Sequence, residues 1–416
     1  MSAPFASLPA NASSTIQPFT ISIPESDLKA MLDLISLSKI GSSTWENSQS
    51  SFGTTHRWLT DAKTAWLNPS TFSWRKDEER INSFPNFTLN IPLSELSSKW
   101  KYSGTTYDVH FVALFSQHKD ATPVVLLHGF PGSFLEYLPI LDLLRDRFTP
   151  ETLPYHIVVP SLPGYGFSKF SPEHGEEDSH TEFTLNDGAK IINELMVLLG
   201  FGHGYIAHGG DVGTLLARLL AQDFHGCKAF HLNGLFATKE SVPPHMDDYT
   251  EEDRRRLAEA QGFFATGFGY SLMHQTKPGT IGLAIASNPL SLLAWIGEKL
   301  RDWTDVPLPL STILTNVTLY WLTDTYPRCI YSNRFPPSVP LPQTKPFGVS
   351  NFPLELVPAP KAWVEKTFPS LVFYKDYERG GHFPAWEEPK AMLGGLEEFI
   401  AKVKPALCNE PVENES

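Results

Sequence analysis

The stretch Tyr205-Ile-Ala-His208-Gly209-Gly210-Asp211-Val212-Gly213 decides the fold. Its opening residues, Tyr205–His208, are rich in strand formers, and Leu215–Ala221 beyond it follows a helical pattern. Between the two, small residues at 209 and 213 flank Asp211 on both sides. That spacing marks a sharp strand-to-helix turn that lifts one side chain above the end of a sheet. Glycine is what lets the backbone pass so close to itself. Serine usually occupies the tip of such a turn, yet G-x-S-x-G occurs nowhere in the chain. A carboxylate in that place can attack a carbon electrophile by in-line displacement and leave an ester on the protein. Taken alone, Asp211 reads equally well as a residue capping a helix after a glycine turn. Gly202-x-Gly204-x-x-Ala207 superficially fits a dinucleotide loop, but it precedes the strand, and phosphate binding needs the helix N-terminus that follows one.

Outward from this turn, Val109–Phe115, Val124–Leu127, Ile157–Val159, Ala229–Leu232 and Leu371–Tyr374 read as strands. Phe183–Gly200 reads as a helix, with Leu185, Ala189, Ile192, Leu195, Met196 and Leu199 at helical spacing and Gly200 and Gly202 to stop it. Strands alternating with helices imply a parallel sheet covered on both faces. The alternation breaks after Leu235. Residues 237–345 hold helical patterns, one opened by the capping-box spacing Thr250-Glu-Glu-Asp253. Ser338–Pro346 reads as a proline-rich return linker, Lys390–Val403 as a last helix, and the acidic tail after Ala406 as loose chain. Residues 1–110 form an arm with a helical pattern at Glu25–Ser38, a Ser/Thr-rich stretch at Ser42–Thr55, and aromatic segments at Phe72–Arg75 and Phe84–Phe87 that have to cover something. The expected fold is α/β, with a mostly parallel sheet. The arm 1–110 packs on core and lid, 111–236 and 346–416 are the two halves of the core, and 237–345 is a helical lid over the strand C-termini.

The chain has 416 residues, 41% of them hydrophobic, enough for a sizeable core. With 33 basic and 46 acidic residues the net charge is −13, and no long basic run offers a nucleic-acid surface. Three cysteines cannot build a disulfide framework or a cysteine-based zinc site. The first thirty residues lack the pattern of a signal peptide, and no run is long and apolar enough to span a membrane. The triplets Asn86-Phe-Thr and Asn316-Val-Thr are therefore discounted as glycosylation acceptors. A cytoplasmic location is expected, with peripheral membrane association through the arm and a homodimer both left open.

Two further motifs complement the turn. His128-Gly-Phe130-Pro-Gly132 directly follows a strand, and its glycines can aim the Phe130 amide into a site. With the Val212 amide it would form an oxyanion hole. Gly380-Gly381-His382-Phe383 lies just beyond the last strand, where a histidine can reach across as general base. Glu355 is the candidate acid to orient it, with Asp376 and Glu378 as rivals. The order nucleophile, acid, histidine is that of the α/β-hydrolase fold. A leaving alkoxide needs a proton donor, and the lid tyrosines Tyr249, Tyr270, Tyr320, Tyr326 and Tyr331 can supply a neutral phenol. With no H-E-x-x-H and no Cys/His cluster, neither metal nor cofactor is expected.

With these motifs in order, the chain resembles the epoxide hydrolases of the α/β-hydrolase superfamily, in the microsomal-like branch with an N-terminal arm. Further likeness lies at Trp74-Arg75, Asn82–Pro85, Gly269-Tyr270, Gln275–Pro278 and Leu292–Lys299, so the resemblance covers nearly the whole chain. It implies Asp211 as nucleophile, His382 as water-activating base, Glu355 as its orienting acid and Tyr270 as one of two tyrosines binding the epoxide oxygen. The family places its second tyrosine next to, or two residues after, an arginine. Around Ile330–Pro336 those places hold Asn333 and Pro336, and Tyr331 is the nearest candidate. The implied substrate is a small apolar epoxide, with water as co-substrate and roles such as detoxification or catabolism of aromatic hydrocarbons. A dehalogenase using the same Asp, or a non-hydrolytic binding or pathway protein on the same fold, remain alternatives.

Overall fold

The computed structural model describes residues 4–96, 106–171, 182–235, 243, 246–334, 341–342 and 344–407. Residues 338–340 and 343 of the Ser338–Pro346 linker and the acidic tail beyond Leu407 lie outside the described residues. Ten strands make one sheet: β1 (Gln17–Pro18), β2 (Asn86–Pro92), β3 (Thr106–Leu114), β4 (Thr122–Leu127), β5 (Tyr155–Pro160), β6 (Lys169–Phe170), β7 (Tyr205–Gly210), β8 (Cys227–Asn233), β9 (Phe347–Asn351) and β10 (Leu371–Asp376). Their order is β1-β2-β3-β5-β4-β7-β8-β9-β10, with β6 beside β3. Every pairing from β5 to β10 is parallel, and every pairing on the β1 side is antiparallel. The central strands are covered on both faces. Val124–Leu127 are fully buried without alternation, as parallel strands between helical layers must be. Two packed helix pairs do the covering: Leu185–Leu198 with Val212–Asp223, and Leu138–Arg147 with Pro389–Leu407. The fold is thus the expected α/β-hydrolase architecture.

The arm does more than wrap. Its segment Asn86–Pro92, read above only in part and as aromatic punctuation, is a strand between the short β1 and β3 that buries Phe87, Leu89 and Ile91 and pairs with β3 over seven residues. Helices His56–Leu67 and Trp74–Asn82 also lie in the arm. β9 escaped the strand reading because Phe-Gly-Val-Ser-Asn has little β propensity. Burial between β8 and β10 makes it a strand instead. From Glu251 to Cys329 the lid is built of helices joined by short connections, with no strand among the described residues. The Thr250/Asp253 capping box forms in both directions. Arm and lid are bonded to each other: Trp66 Nε1 donates to Thr318 Oγ1 (3.1 Å), Thr315 Oγ1 to Asp77 Oδ2 (2.7 Å), Thr54 Oγ1 to the Ala294 carbonyl (2.8 Å) and Asn288 Nδ2 to Ser38 Oγ (2.7 Å).

Candidate active site

The register of the central strands brings the motifs together. Leu127 of β4 lies opposite Gly209 of β7, so the turn at His128–Gly132 and the turn at Asp211 leave the sheet side by side. Asp211 caps the helix Val212–Asp223 with φ 49° and ψ −122°, a conformation L-residues rarely hold. Three glycines make this turn possible. A Cβ at Gly129 would collide with the Asp211 side chain, one at Gly209 with the Gly213 carbonyl, and one at Gly213 with the Leu127 carbonyl.

The Asp211 carboxylate faces two partners. The Phe130 amide donates to Oδ1 at 2.7 Å, and His382 Nε2 lies 3.4 Å from Oδ2. His382 is 2% exposed, and its Nδ1 is bonded to Glu355 Oε1 at 2.8 Å. Glu355 Oε1 also accepts the Leu356 amide. Asp376, one of the rival acids, instead takes a hydrogen bond from Asn351 Nδ2 at 2.7 Å. Burial alone would push the imidazole pKa down. The facing Glu355 and Asp211 carboxylates overcome this and raise it well above the ordinary histidine value. Among the described residues the Val212 amide has no hydrogen bond to the carboxylate; it occupies the first helical turn beside it.

Tyr270, on the helix Gly269–Thr276, stacks on Phe130 with ring centroids 6.1 Å apart and packs against Trp303 at 5.2 Å. Burial first, then the Asp211 and Glu355 charges, raises its phenol pKa well above 10, so it is neutral. Tyr331 is 40% exposed on the turn Ile330–Arg334 and, together with Val212, lines a cavity beside the site. Other lid tyrosines are engaged: Tyr320 Oη donates to the Gly132 carbonyl at 2.7 Å, and Tyr326 Oη meets His274 Nε2 at 3.0 Å.

The cavity measures about 350 Å³ and is walled by Val212, Tyr107, Tyr165, Phe170, Phe183 and Tyr331. Its two arginines are occupied. Arg328 donates to the carbonyls of Asp324, Ser168, Gly166 and Thr323, and Arg334 pairs with Glu182 at 2.6 Å.

Three supporting residues had no role legible in the sequence: His128 stood inside a motif without one, and Glu387 and Glu136 stood in no motif. His128 accepts the Leu162 amide at Nε2, and burial pushes its pKa down to about 3, so it is a neutral strut of the Phe130 turn. Glu387 accepts the amides of Asp305, Val306 and Gly381 on Oε2 and that of Phe383 on Oε1, which pins the His382 loop to the lid. Glu136 is a buried acid beside the site. Among the described residues no group of three or more His, Cys, Asp or Glu is placed to hold a metal, and no single helix is long and apolar enough to cross a membrane.

Comparison with known proteins matches residues 16–137 to the epoxide hydrolase N terminus and residues 122–389 to the alpha/beta hydrolase fold. A relative from Dothistroma septosporum, bearing an epoxide hydrolase name, is 40% identical over 95% of this chain and 92% of its own length. Epoxide hydrolase 1 of Sus scrofa is 29% identical over 93% of this chain and 88% of its own. The solved epoxide hydrolase of Aspergillus niger superposes with a TM-score of 0.86 at 43% identity, covering 96% of this chain and all of that one. With arm, core and lid all matched along nearly its whole length, this chain belongs to the epoxide hydrolases of the α/β-hydrolase fold.

Proposed function

We propose that the enzyme opens an apolar epoxide through an ester on Asp211 and releases a vicinal diol. The supporting observation is the line Asp211–His382–Glu355, with Asp211 Oδ1 already on the Phe130 amide. Oδ2 attacks the less hindered epoxide carbon, the C–O bond breaks, and Tyr270 gives its proton to the oxygen. The ester leaves Asp211 uncharged, so one of the two carboxylates that hold His382 protonated is gone. The imidazole then releases its proton, which makes up the one lost by Tyr270. Neutral His382 takes a proton from water as hydroxide adds to Asp211 Cγ. The charge develops on Oδ1, where the Phe130 and Val212 amides can stabilise it, an effect of ~10²–10³ per donor in comparable sites. Collapse expels the diol oxygen, which takes the proton from His382, and the Asp211 acid proton returns to the imidazole. Glu355 keeps the ring in the required tautomer and orientation.

The aromatic cavity beside Val212, with its arginines already paired, supports a neutral apolar body on the epoxide. In this reading Tyr270 is the donor that meets the site, and Tyr331 forms part of the wall around the substrate. A single turnover in heavy-oxygen water tests the proposal. Label in the peptide bearing Asp211 supports the ester; diol formation without label there overturns it. Halide release from haloalkanes, with no turnover of epoxides, would point to the dehalogenase alternative.

A further inference from the structure

Glu136 sits on the short helix Phe134–Tyr137, which Ser133 caps by accepting the Leu135 amide. This turn folds the side chain back beneath Gly132. A Cβ at Gly132 would come within 2.7 Å of Glu136 Oε2, so the carboxyl fills the space that the glycine leaves. Glu136 is 4% exposed, and its carboxyl makes no hydrogen bond among the described residues. Burial drives its pKa up to about 8. The charge on His382 opposes this, and those on Asp211, Glu387 and Glu355 add to it. An uncharged carboxyl thus lies next to a site that holds two carboxylates. In the same site His382 Nε2 is buried and makes no well-formed hydrogen bond, with Asp211 Oδ2 at 3.4 Å. A buried ring nitrogen without a partner in a polar site is the kind of group an ordered water satisfies.

We propose that Glu136 is a positioning residue that holds the attacking water against His382. The water donates one O–H to the Glu136 carboxyl oxygen and the other to His382 Nε2, and this turns its lone pair toward Asp211 Cγ. During attack the second proton passes to His382 and the hydroxide oxygen bonds to Cγ. Glu136 keeps its own proton throughout, so it neither repels the resting nucleophile nor competes as a base. The inference rests on the ester route above and concerns only its second half.

The test separates the two halves of the turnover. Rapid-quench mass analysis of the intact protein follows ester formation and ester loss, with Glu136→Ala, Glu136→Asn and Glu136→Gln beside the parent. In the Ala and Asn variants the ester should form at a rate within about threefold of the parent. Its hydrolysis should slow roughly 100-fold, the usual consequence of misplacing a reacting group by an ångström. Gln, which offers a carbonyl oxygen at the same reach, should restore most of the hydrolysis rate. Hydrolysis at the parental rate in Ala or Asn overturns the proposal. So does equal slowing of both halves, or a Gln variant as slow as Ala, since both signify a structural role. A parent enzyme that forms no ester overturns the ester route itself, and this inference with it.

Discussion

Phe130 donates its backbone N–H to Asp211 Oδ1 at 2.7 Å. The other carboxylate oxygen, Oδ2, is the one that faces His382. In the proposed ester route the first oxygen would carry the oxyanion and the second would attack. Removing the base should stall the enzyme after attack. His382→Gln is expected to lower kcat by ~10²–10⁴, and intact-protein mass spectrometry should show the chain heavier by one substrate. A variant that loses turnover without gaining mass would contradict the sequence of steps.

Tyr270 is the neutral phenol packed on Phe130, so Tyr270→Phe removes the proton for the opening oxygen while keeping the ring stack. Ester formation should slow by ~10² or more, whereas hydrolysis of ester already formed keeps its rate. Tyr331→Phe should cause a smaller loss, because that ring is 40% exposed where Tyr270 is packed on Phe130. Stopped-flow traces of tryptophan emission can follow both, since Trp303 lies edge-on to His382 at 5.3 Å.

Glu387 gathers four backbone amides, from Asp305, Val306, Gly381 and Phe383. Glu387→Ala leaves these donors buried without their acceptor. The expected destabilisation is at least about 3 kcal/mol in urea unfolding, with kcat falling because His382 sits between two of the freed amides. Glu387→Gln should fall between parent and Ala, as one of its two terminal groups can no longer accept.

Acid stability follows from histidines kept neutral inside. Burial holds His110, His128 and His208 at about 3, below the ordinary 6.5. The unfolded chain therefore binds more protons than the folded one between these values. Stability is fully present above 6.5 and is lost as pH falls toward 3, by about 1.4 kcal/mol per pH unit for each such residue. Urea midpoints measured downward from neutral pH should drop steeply. His110→Asn, which keeps a polar group between Ser161 and Asn86, should flatten the slope by one residue's share.

The sheet and the turn at Asp211 were legible because their signals are local: a β-rich run, two glycines at fixed offsets, then helical spacing. The pairing of His382 with Glu355 was legible from chain order, and the structure selects Glu355 over Asp376 through a hydrogen bond. β9 and the arm's strand β2 were not legible, since their conformation is imposed by neighbours distant in sequence. Glu387 and Glu136 were invisible for a related reason. An acid that accepts amides from two separate loops, or that is buried by a glycine four residues earlier, has no motif of its own. The second-tyrosine region around Asn333 and Pro336 offered the least, because what matters there is which phenol reaches the site, and spacing does not encode reach.

The bonds that tie Trp66, Asp77, Thr54 and Ser38 of the arm to the lid also bear on traffic through the enzyme. A flap swinging on a single hinge would have to tear all four moorings at once. Entry and exit are thus better served by side chains yielding at a fixed doorway than by the roof lifting. The arm serves as a set of guy-ropes on the roof, four hydrogen bonds that any opening of the lid would have to break.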